Sequence, residues 1–481
     1  MLKQFCLLLL VTAGVARGQE IFQKGQVDRP AEPLGGPAML SEFLTHNVRT
    51  PFVNRVEGVE GKVEVKGVIE PDGSVSSLEV AKGLNKESDE EVLRVFRIFK
   101  GWKPAEKDGR PVRQQFSYSL SFGPGGLEEF NRDSYEFGFL FDGKFRKVKD
   151  DKEAMYRLGV KVDKNGIPAG RMQFSTRTKN KWSAPQALEA IRTPAESNVL
   201  QLLLGVEEGQ LRQYVDPSDA FIVRAGTEPF EAGLPEYIVT SDGRIVRELL
   251  PGSFSKVSYA SGQTAKVTLL ESEVISQTIG WYPNSILKEK YYTQKINDTT
   301  SLEKIIQVSD SSGARQVVKG NGYISGGDHP WGEGEVRNGY RVGTWRSFHP
   351  DGTLRFEELY EDGKLVRGKS FRDGKEFEYT QQETQPRYSG QIRDFYKFMA
   401  SNIRYPAEAS RSRIQGRVIL SIMIEPGGDI SNIEVTRSAS PLLDAEAVRV
   451  VMLSSGKWIA GQKRGIPIRS TYSVPVGFQL E

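Results

Sequence analysis

The apolar positions between residues 388 and 481 predict three short strands. Residues 418–424 alternate between apolar and polar side chains, as a half-buried strand does, and Pro426-Gly427-Gly428 is typical of the turn that follows. A second strand is expected at residues 430–435 and a third from about 468 to 480. Short strands joined by glycine turns indicate an antiparallel sheet.

Two helices accompany these strands. The spacing of Phe395, Phe398 and Met399 predicts a helix that ends before Tyr405-Pro406, because a residue preceding proline avoids the helical conformation. A second helix is expected between the second and third strands, with Asp444 as its cap. Its apolar face is predicted at Val448, Val451 and Met452.

The same pattern recurs near the other end of the chain. Residues 47–95 align without gaps onto residues 402–450, and sixteen positions are identical, where about three are expected by chance. After one inserted residue the match resumes, pairing Trp102 with Trp458. The sequence therefore predicts an α+β fold class. Residues 38–124 and 388–481 each form a small domain with three antiparallel strands and two helices on one face, and the two domains flank a β-rich middle.

Both copies resemble the C-terminal domain of the TonB energy-transducer family. In the second copy the resemblance is carried by Asn402-Ile403-Arg404-Tyr405-Pro406, Gln415-Gly416-Arg417-Val418, Leu443-Asp444-Ala445-Glu446-Ala447, Gly465-Ile466-Pro467 and Val474-Pro475-Val476-Gly477-Phe478. The first copy departs from the pattern at Thr50, where the second has Tyr405.

The resemblance implies a partner and a binding mode. In that family the domain binds the periplasmic end of an outer-membrane transporter and captures the transporter's short N-terminal box beside its last strand, by strand addition. Carried onto this sequence, the expected partner-binding residues of the second copy are Arg404, Tyr405, Pro406, Ile468, Arg469, Ser470, Thr471, Tyr472 and Ser473. Those of the first copy are Arg49, Pro51, Val112 and Arg113.

Residues 280–380 predict an array of β-hairpins. The turn dipeptides Asn338-Gly339, Asp351-Gly352, Asp362-Gly363 and Asp373-Gly374 recur every eleven to thirteen residues. Residues 348–354 have an earlier echo at 281–287. The array resembles MORN-type repeats, including their antitoxin-like variants. This resemblance implies a surface for protein or lipid contact, although a spacer between the end domains explains the pattern equally well.

Residues 130–270 predict an α+β or β-rich domain of unknown type. A strand is expected at Glu136–Phe141, and further strands near Ile222, Ile238 and Val267. Residues 187–191 and 199–206 are interpreted as helical.

Residues 1–18 have the pattern of a secretory signal peptide. Lys3 precedes an almost wholly apolar run from Phe5 to Ala16, and small residues come before Gln19. The run is shorter than the ~20 residues that a membrane-spanning helix needs. Cleavage and export to the periplasm are therefore expected, and an uncleaved inner-membrane anchor is the alternative. The single cysteine, Cys6, lies in this run, so no disulfide framework is expected.

Charge and composition exclude several classes of function. The 65 Lys and Arg residues nearly balance the 62 Asp and Glu residues without long blocks of one sign, which argues against nucleic-acid binding. Neither His329 nor His349 has a second ligand at metal-site spacing. His46 aligns with Ser401, so a catalytic role shared by the two copies is not supported. We expect no catalytic site, cofactor or metal.

The sequence thus predicts a non-enzymatic periplasmic adapter. It would use two TonB-type domains to bind an outer-membrane TonB-dependent transporter or another envelope protein, in or beside transmembrane transport. The alternative is an envelope scaffold whose end domains bind cell-wall glycan or each other, with the repeats as spacer. An enzyme within residues 130–270 would need a pocket with convergent polar groups, and homo-oligomer formation is left open.

Overall fold

The computed structural model describes residues 20–480 except 124–129, 144–146, 170, 190, 205, 207, 225–235, 251–253, 298–299 and 327–328. The predicted signal peptide at residues 1–18 lies outside the described residues. The chain packs as two compact units. One contains the described residues of Met1–Leu269, Ile279–Lys288 and Ser311–Gly313, and the other those of Leu270–Thr278, Glu289–Asp310 and Ala314–Glu481.

The first unit begins with the N-terminal copy of the repeated domain. Its elements are β1 (Ile21–Phe22), β2 (Glu32–Pro33), α1 (Pro37–Asn47), α2 (Phe52–Glu57), β3 (Gly61–Ile69), β4 (Val75–Lys82), α3 (Lys86–Ile98), β5 (Trp102–Lys103), β6 (Ala105–Lys107) and β7 (Arg110–Phe122). The sheet has the order β4-β3-β7, all antiparallel, and β1 adds to β7 in parallel. Phe43 of α1 and Phe96 of α3 are fully buried against the sheet, as the two-helix prediction requires.

A second sheet follows in the first unit. Its strands are β8 (Phe130–Asn131), β9 (Glu136–Phe141), β10 (Lys147–Val148), β11 (Tyr156–Lys161), β12 (Arg171–Thr178), β13 (Lys181–Trp182) and β14 (Gln186–Glu189). The main order is β10-β9-β11-β12-β13, with β8 beside β9 and β14 beside β12. The strand predicted at Glu136–Phe141 is confirmed as β9, and it contributes Phe139 and Phe141 to a small aromatic core.

An antiparallel meander completes the first unit. It contains β15 (Ile191–Pro194), α4 (Ser197–Leu204), β16 (Ala220–Arg224), β17 (Glu236–Thr240), β18 (Ile245–Leu250), β19 (Phe254–Ser258) and β20 (Thr264–Leu270). The next strand, β21 (Ile275–Trp281), has residues in both units. The strands predicted near Ile222, Ile238 and Val267 are confirmed, as is the helix near residue 199.

The helix predicted at residues 187–191 is wrong. The residues described there belong to β14, which pairs with β12, and to β15, which pairs with β16. Five residues are too few to sustain a helix by themselves, so pairing with neighbouring strands decides the local conformation.

The second unit contains the hairpin array. Its strands are β22 (Leu287–Lys295, which begins in the first unit), β23 (Ser301–Ser309), β24 (Arg315–Val318), β25 (Asn321–Ile324), β26 (Glu333–Arg337), β27 (Tyr340–Phe348), β28 (Leu354–Glu361), β29 (Lys364–Arg372) and β30 (Lys375–Tyr379). Each strand from β22 onward pairs antiparallel with the next. The predicted meander is confirmed, while its relation to MORN repeats stays a prediction.

The hairpin turns explain the recurring turn dipeptides. Asn338-Gly339, Asp362-Gly363 and Asp373-Gly374 have positive φ at both residues, as a two-residue hairpin turn with the twist of its flanking strands requires. At Asp351-Gly352 only the glycine is left-handed, with φ of 81°, and the turn is longer. The array is therefore built by local turn chemistry, with Trp345 and Tyr360 buried in its core.

The C-terminal copy of the domain ends the second unit. Its elements are β31 (Glu383–Thr384), β32 (Arg387–Tyr388), α5 (Ile392–Asn402), α6 (Ala407–Arg411), β33 (Gly416–Ile424), β34 (Ile430–Arg437), α7 (Pro441–Met452), β35 (Trp458–Ile459), β36 (Gln462–Lys463), β37 (Ile466–Pro467) and β38 (Ser470–Phe478). The sheet order is β34-β33-β38, antiparallel throughout. The predicted order of helices and strands is confirmed, except that the short helix α6 stands between α5 and β33.

The predicted cap of the second helix, Asp444, is wrong, and the first copy has the same arrangement. Ser440 caps α7 and Asn85 caps α3, through side chains that accept the N–H groups of Leu443 and Ser88. Asp444 and Asp89 lie one turn further on, and their carboxylates accept the N–H groups of Ala439 and Leu84. The aspartates thus tie the preceding loop to the helix instead of capping it.

Candidate functional site

The last strand of the second copy, β38, lies at an edge of its sheet. All nine of its residues are in register with β33, from Ser470 opposite Ile424 to Phe478 opposite Gly416. Within the described residues, β38 pairs with no other strand. A row of backbone donors and acceptors is therefore available on its other side for an added strand.

Pro475 defines which backbone groups of β38 face outward. A proline is tolerated on an edge strand because its nitrogen turns away from the ladder, and Pro475 lies opposite Ile419 of β33. Backbone groups alternate along a strand, so the N–H groups of Thr471 and Ser473 share the outward direction of the Pro475 nitrogen. The outward donors of this half of β38 are thus the predicted site residues Thr471 and Ser473, and the row is interrupted at Pro475.

The remaining predicted residues of this strand region have mixed roles. The Ile468 N–H donates to the carbonyl of Gly461, and the Ser470 hydroxyl accepts the Gly461 N–H, so both residues hold the turn before β38. The Tyr472 ring lies 5.1 Å from that of Trp458, at the edge of the core. Arg469 forms an ion pair with Glu425 at 2.8 Å. Only the outward backbone groups remain free to pair with a partner strand.

The predicted loop Arg404-Tyr405-Pro406 joins α5 to α6. The Tyr405 hydroxyl donates to the Ile414 carbonyl at 2.5 Å, and its ring contacts Phe478 with centroids 5.8 Å apart. Pro406 occupies the cap position of α6. The Arg404 N–H donates to Glu446, and the Arg404 residue is exposed. Tyr405 and Pro406 therefore shape the loop, while the Arg404 side chain is accessible.

The chain covers part of the corresponding edge in the first copy. Val112 of β7 pairs with Ala105 of β6, and Arg113 is in register with Ile21 of β1. The Arg113 guanidinium also forms two 2.8 Å hydrogen bonds to Glu70. The first-copy residues predicted to bind a partner strand are thus paired within the chain, and the sequence carried no signal for the two-residue strand β1.

The other two predicted residues of the first copy also have neighbours within the first unit. Pro51 occupies the cap position of α2, as Pro406 does for α6. The Arg49 guanidinium lies 3.4 Å from the Ser258 hydroxyl, and burial together with the Arg94 charge lowers the pKa of Arg49. Arg49 is therefore less accessible than Arg404 is in the second copy.

An ion pair recurs in both copies and fixes this loop. In the second copy Arg449 donates to Glu446 and to the Asn402 carbonyl, each at 2.7 Å. In the first copy Arg94 makes the same bonds to Glu91 and Asn47. The hydrogen bond from Arg449 lowers the pKa of Glu446 and the Arg404 N–H adds to this effect, although partial burial opposes it.

This pair gives a pH-dependent contribution to stability. We expect Glu446→Gln to lower the free energy of unfolding by about 1–2 kcal/mol at neutral pH. Because the pKa of Glu446 is lower in the folded state than in the unfolded state, its carboxylate stabilises the fold fully only above the unfolded pKa, about 4.3 for glutamate. The difference from wild type should therefore shrink as pH falls through the folded pKa. Urea unfolding across this range measures it, and a difference that is the same in acid as at neutral pH would contradict the prediction.

A buried charge cluster that sequence reasoning missed joins the second copy to the hairpin array within the second unit. Glu358 of β28 is fully buried and accepts hydrogen bonds from Arg464 at 2.9 Å, from Tyr379 at 2.8 Å and from Tyr360 at 2.8 Å. Gln382 donates to both of its oxygens. Strand alternation directs Glu357 toward solvent and Glu358 inward, and Arg464 is distant in sequence, so no local pattern records the cluster.

No metal or membrane-spanning segment is found among the described residues. There, no three His, Cys, Asp or Glu side chains form a cluster that could hold a metal ion, and no helix is long and apolar enough to cross a membrane. His329 is buried 3.4 Å from Glu289, and His349 lies in the 349–353 turn.

Comparison with known proteins identifies the two repeated domains. The family model described as the Gram-negative bacterial TonB protein C-terminal matches residues 51–124 and 401–480. Two solution structures of the Helicobacter pylori TonB C-terminal domain are similar at 20% and 19% identity. The alignments cover 19% and 18% of this chain and 80% and 90% of those chains, with a TM-score of 0.15 for each. No curated protein matches this chain. The family model thus matches a TonB C-terminal domain in each of the two repeated regions.

Proposed function

We propose that this protein binds envelope proteins by strand addition to the open edge of its C-terminal TonB domain. Domains of this family are non-enzymatic interaction and energy-transducing domains, and proteins of the family are located in the cell envelope. The partner proposed here is the periplasmic box segment of an outer-membrane TonB-dependent transporter, with the protein acting as an exported adapter in or beside transport.

The unpaired edge of β38 is the observation that carries this proposal. An extended peptide can bond to the outward backbone groups of Thr471 and Ser473, each main-chain hydrogen bond contributing about 1 kcal/mol. The interruption at Pro475 favours pairing with the first half of the strand, where the predicted site residues are. The first copy is a weaker candidate because β1 and β6 already occupy its edge at residues 110–114.

Proline at position 473 tests the edge directly. Ser473→Pro removes one outward N–H and places a ring on the open side, without removing a ladder hydrogen bond to β33. We expect affinity for a transporter box peptide, measured by calorimetry on the full chain, to fall at least about tenfold.

Ser473→Ala is the matched control, because it keeps the N–H and alters only an exposed side chain. Its affinity should equal that of wild type. Equal loss in both variants would mean that the side chain and not the backbone binds, and equal affinity in both would place the peptide elsewhere. Absence of peptide binding by the folded wild-type chain would refute the transporter partner.

A further inference from the structure

The same face of the repeated domain is covered in the first copy and open in the second. We name it the helix-end face. In the first copy it consists of Asn47, Arg49, Arg94 and Ile98, at the ends of α1 and α3. In the second it consists of Asn402, Arg404, Arg449, Met452 and Leu453, at the ends of α5 and α7. The asparagine and both arginines are identical at aligned positions of the two copies.

Two hairpin turns of the first unit cover the helix-end face of the first copy. From the turn between β19 and β20, the Thr264 N–H donates to Asn47 Oδ1 at 2.7 Å. The Thr264 hydroxyl donates to the His46 carbonyl at 2.9 Å, and Arg94 donates to the Gly262 carbonyl at 3.4 Å. The face therefore binds the backbone of a β-turn through polar groups that the domain already carries.

The second turn, between β21 and β22, adds apolar contact. Its Ser285 hydroxyl accepts the Lys100 N–H at 3.0 Å and lies 3.2 Å from the Ile98 carbonyl. Trp281 and Leu287, which flank this turn, are both buried in the core of the first copy. An aromatic residue on one side of the turn and a leucine on the other thus anchor the hairpin.

The second copy keeps the geometry of this face but leaves it exposed. Arg449 is bonded to the Asn402 carbonyl at 2.7 Å, as Arg94 is to Asn47 at 2.6 Å. Met452 and Leu453 follow Arg449 by three and four residues, so they share its side of the helix. Their exposures are 43% and 49%, and Arg404 is exposed beside them. The face is formed and has no cover among the described residues.

A matching turn exists at residues 348–354. It repeats residues 281–287 in sequence, with Phe348 in place of Trp281 and Leu354 in place of Leu287. Its backbone hydrogen bonds are the same. The His349 N–H donates to the Thr353 carbonyl, and the Gly352 N–H donates to the His349 carbonyl. In the earlier turn, the Tyr282 N–H donates to the Ile286 carbonyl and the Ser285 N–H to the Tyr282 carbonyl. Ser285 and Gly352 are both left-handed, with φ of 69° and 81°.

This second turn is also exposed. Phe348 is 40% exposed, and residues 349–353 form an exposed tip. One difference is that Gly352 has no hydroxyl to replace that of Ser285, so the contact would depend on backbone groups and on the apolar anchors. Because turn and face are both exposed in the single chain, their pairing requires two molecules.

We propose that the helix-end face of the second copy binds the 348–354 turn of another molecule of this chain. Phe348 packs on Met452 and Leu453 at the end of α7, where the 281–287 turn lies beside Ile98 at the end of α3 in the first copy. Such a contact joins two different surfaces head to tail, so it forms closed rings or open chains. It is independent of the β38 edge, which stays free for a partner strand.

Analytical ultracentrifugation of the full chain tests this contact. We expect the average molecular mass of the wild-type chain to exceed that of the monomer at about 100 μM protein. Leu453→Asp and Phe348→Asp should each weaken association at least about tenfold, because each substitution places a carboxylate in the apolar contact between the two molecules. Tyr323→Asp, which alters another exposed aromatic residue in the second unit, should associate as wild type. Ser473→Pro should also associate as wild type.

Mixing the two variants distinguishes this contact from misfolding. Leu453→Asp keeps an intact turn and Phe348→Asp keeps an intact face, so an equimolar mixture should form a one-to-one dimer although each variant alone is monomeric. A monomeric mixture, a monomeric wild type or variants that associate as wild type would each overturn the proposal.

Discussion

Glu358→Ala is expected to lower the free energy of unfolding of the second unit by about 3–5 kcal/mol. The carboxylate is fully buried and is bonded to Arg464, whose own side chain is only 18% exposed. Burial alone would raise the pKa of Glu358, but the Arg464 charge and the hydrogen bonds from Gln382 and Tyr379 hold it below its usual value. Removing it leaves the Arg464 guanidinium buried without its counter-charge, and removes the acceptor for two tyrosine hydroxyls.

Glu357→Ala is the matched control for this prediction. Glu357 precedes Glu358 in the same strand, but it points to solvent and pairs with exposed Arg346. Its loss should change stability by no more than about 0.5 kcal/mol. Urea unfolding compares the two variants, and hydrogen exchange in β28–β30 assigns the effect to this region. Equal stability of the two variants would show that Glu358 is not the anchor described here.

Gly428→Ala is expected to destabilise the C-terminal domain by about 2–5 kcal/mol. Gly428 ends the turn between β33 and β34 with φ of 92°, where a side chain costs about 1–2 kcal/mol. A Cβ there would also collide with the Trp458 carbonyl oxygen, which belongs to the backbone and cannot rotate away. Relief of that clash requires displacement of β35 and adds about 1–3 kcal/mol.

The preceding glycine provides the control for this turn. Gly427 is not left-handed, and a Cβ on it would meet only Asp429, at 3.8 Å. Gly427→Ala should therefore stay within about 0.5 kcal/mol of wild type. The first copy repeats the arrangement, since a Cβ on Gly73 would strike the Trp102 carbonyl. Hydrogen exchange of the β33–β38 ladder reports the loss, and protection equal in both variants would contradict the prediction.

Most of the secondary structure of the repeated domains could be predicted from sequence. Alternation in residues 418–424 and the helical spacing around Phe395 are local signals, and both elements formed as expected. The cap of α7 differs from the prediction because Ser440 and Asp444 are both good hydrogen-bond acceptors near a helix start, and only the backbone path shows which one precedes the first turn.

The candidate site was only partly predictable. The resemblance pointed to the strand after Ile468, but it could not show that Arg469 is paired with Glu425 or that Tyr405 donates to Ile414. It also assigned equivalent sites to both copies. In the first copy, the short strand β1 occupies part of that edge, and pairing over two residues leaves no pattern in a sequence.

By itself the sequence determined that a domain is repeated at the two ends of this chain, that it belongs to the α+β class, and that hairpin turns fill residues 338–374. These properties depend on local periodicity and on turn residues, which act over a few positions. Only the tertiary structure decided which copy has an open edge strand, which helix-end face is covered, and that Glu358 and Arg464 meet. Those outcomes depend on contacts between residues far apart in the chain, where burial and hydrogen bonding set the result and no local pattern records the partner.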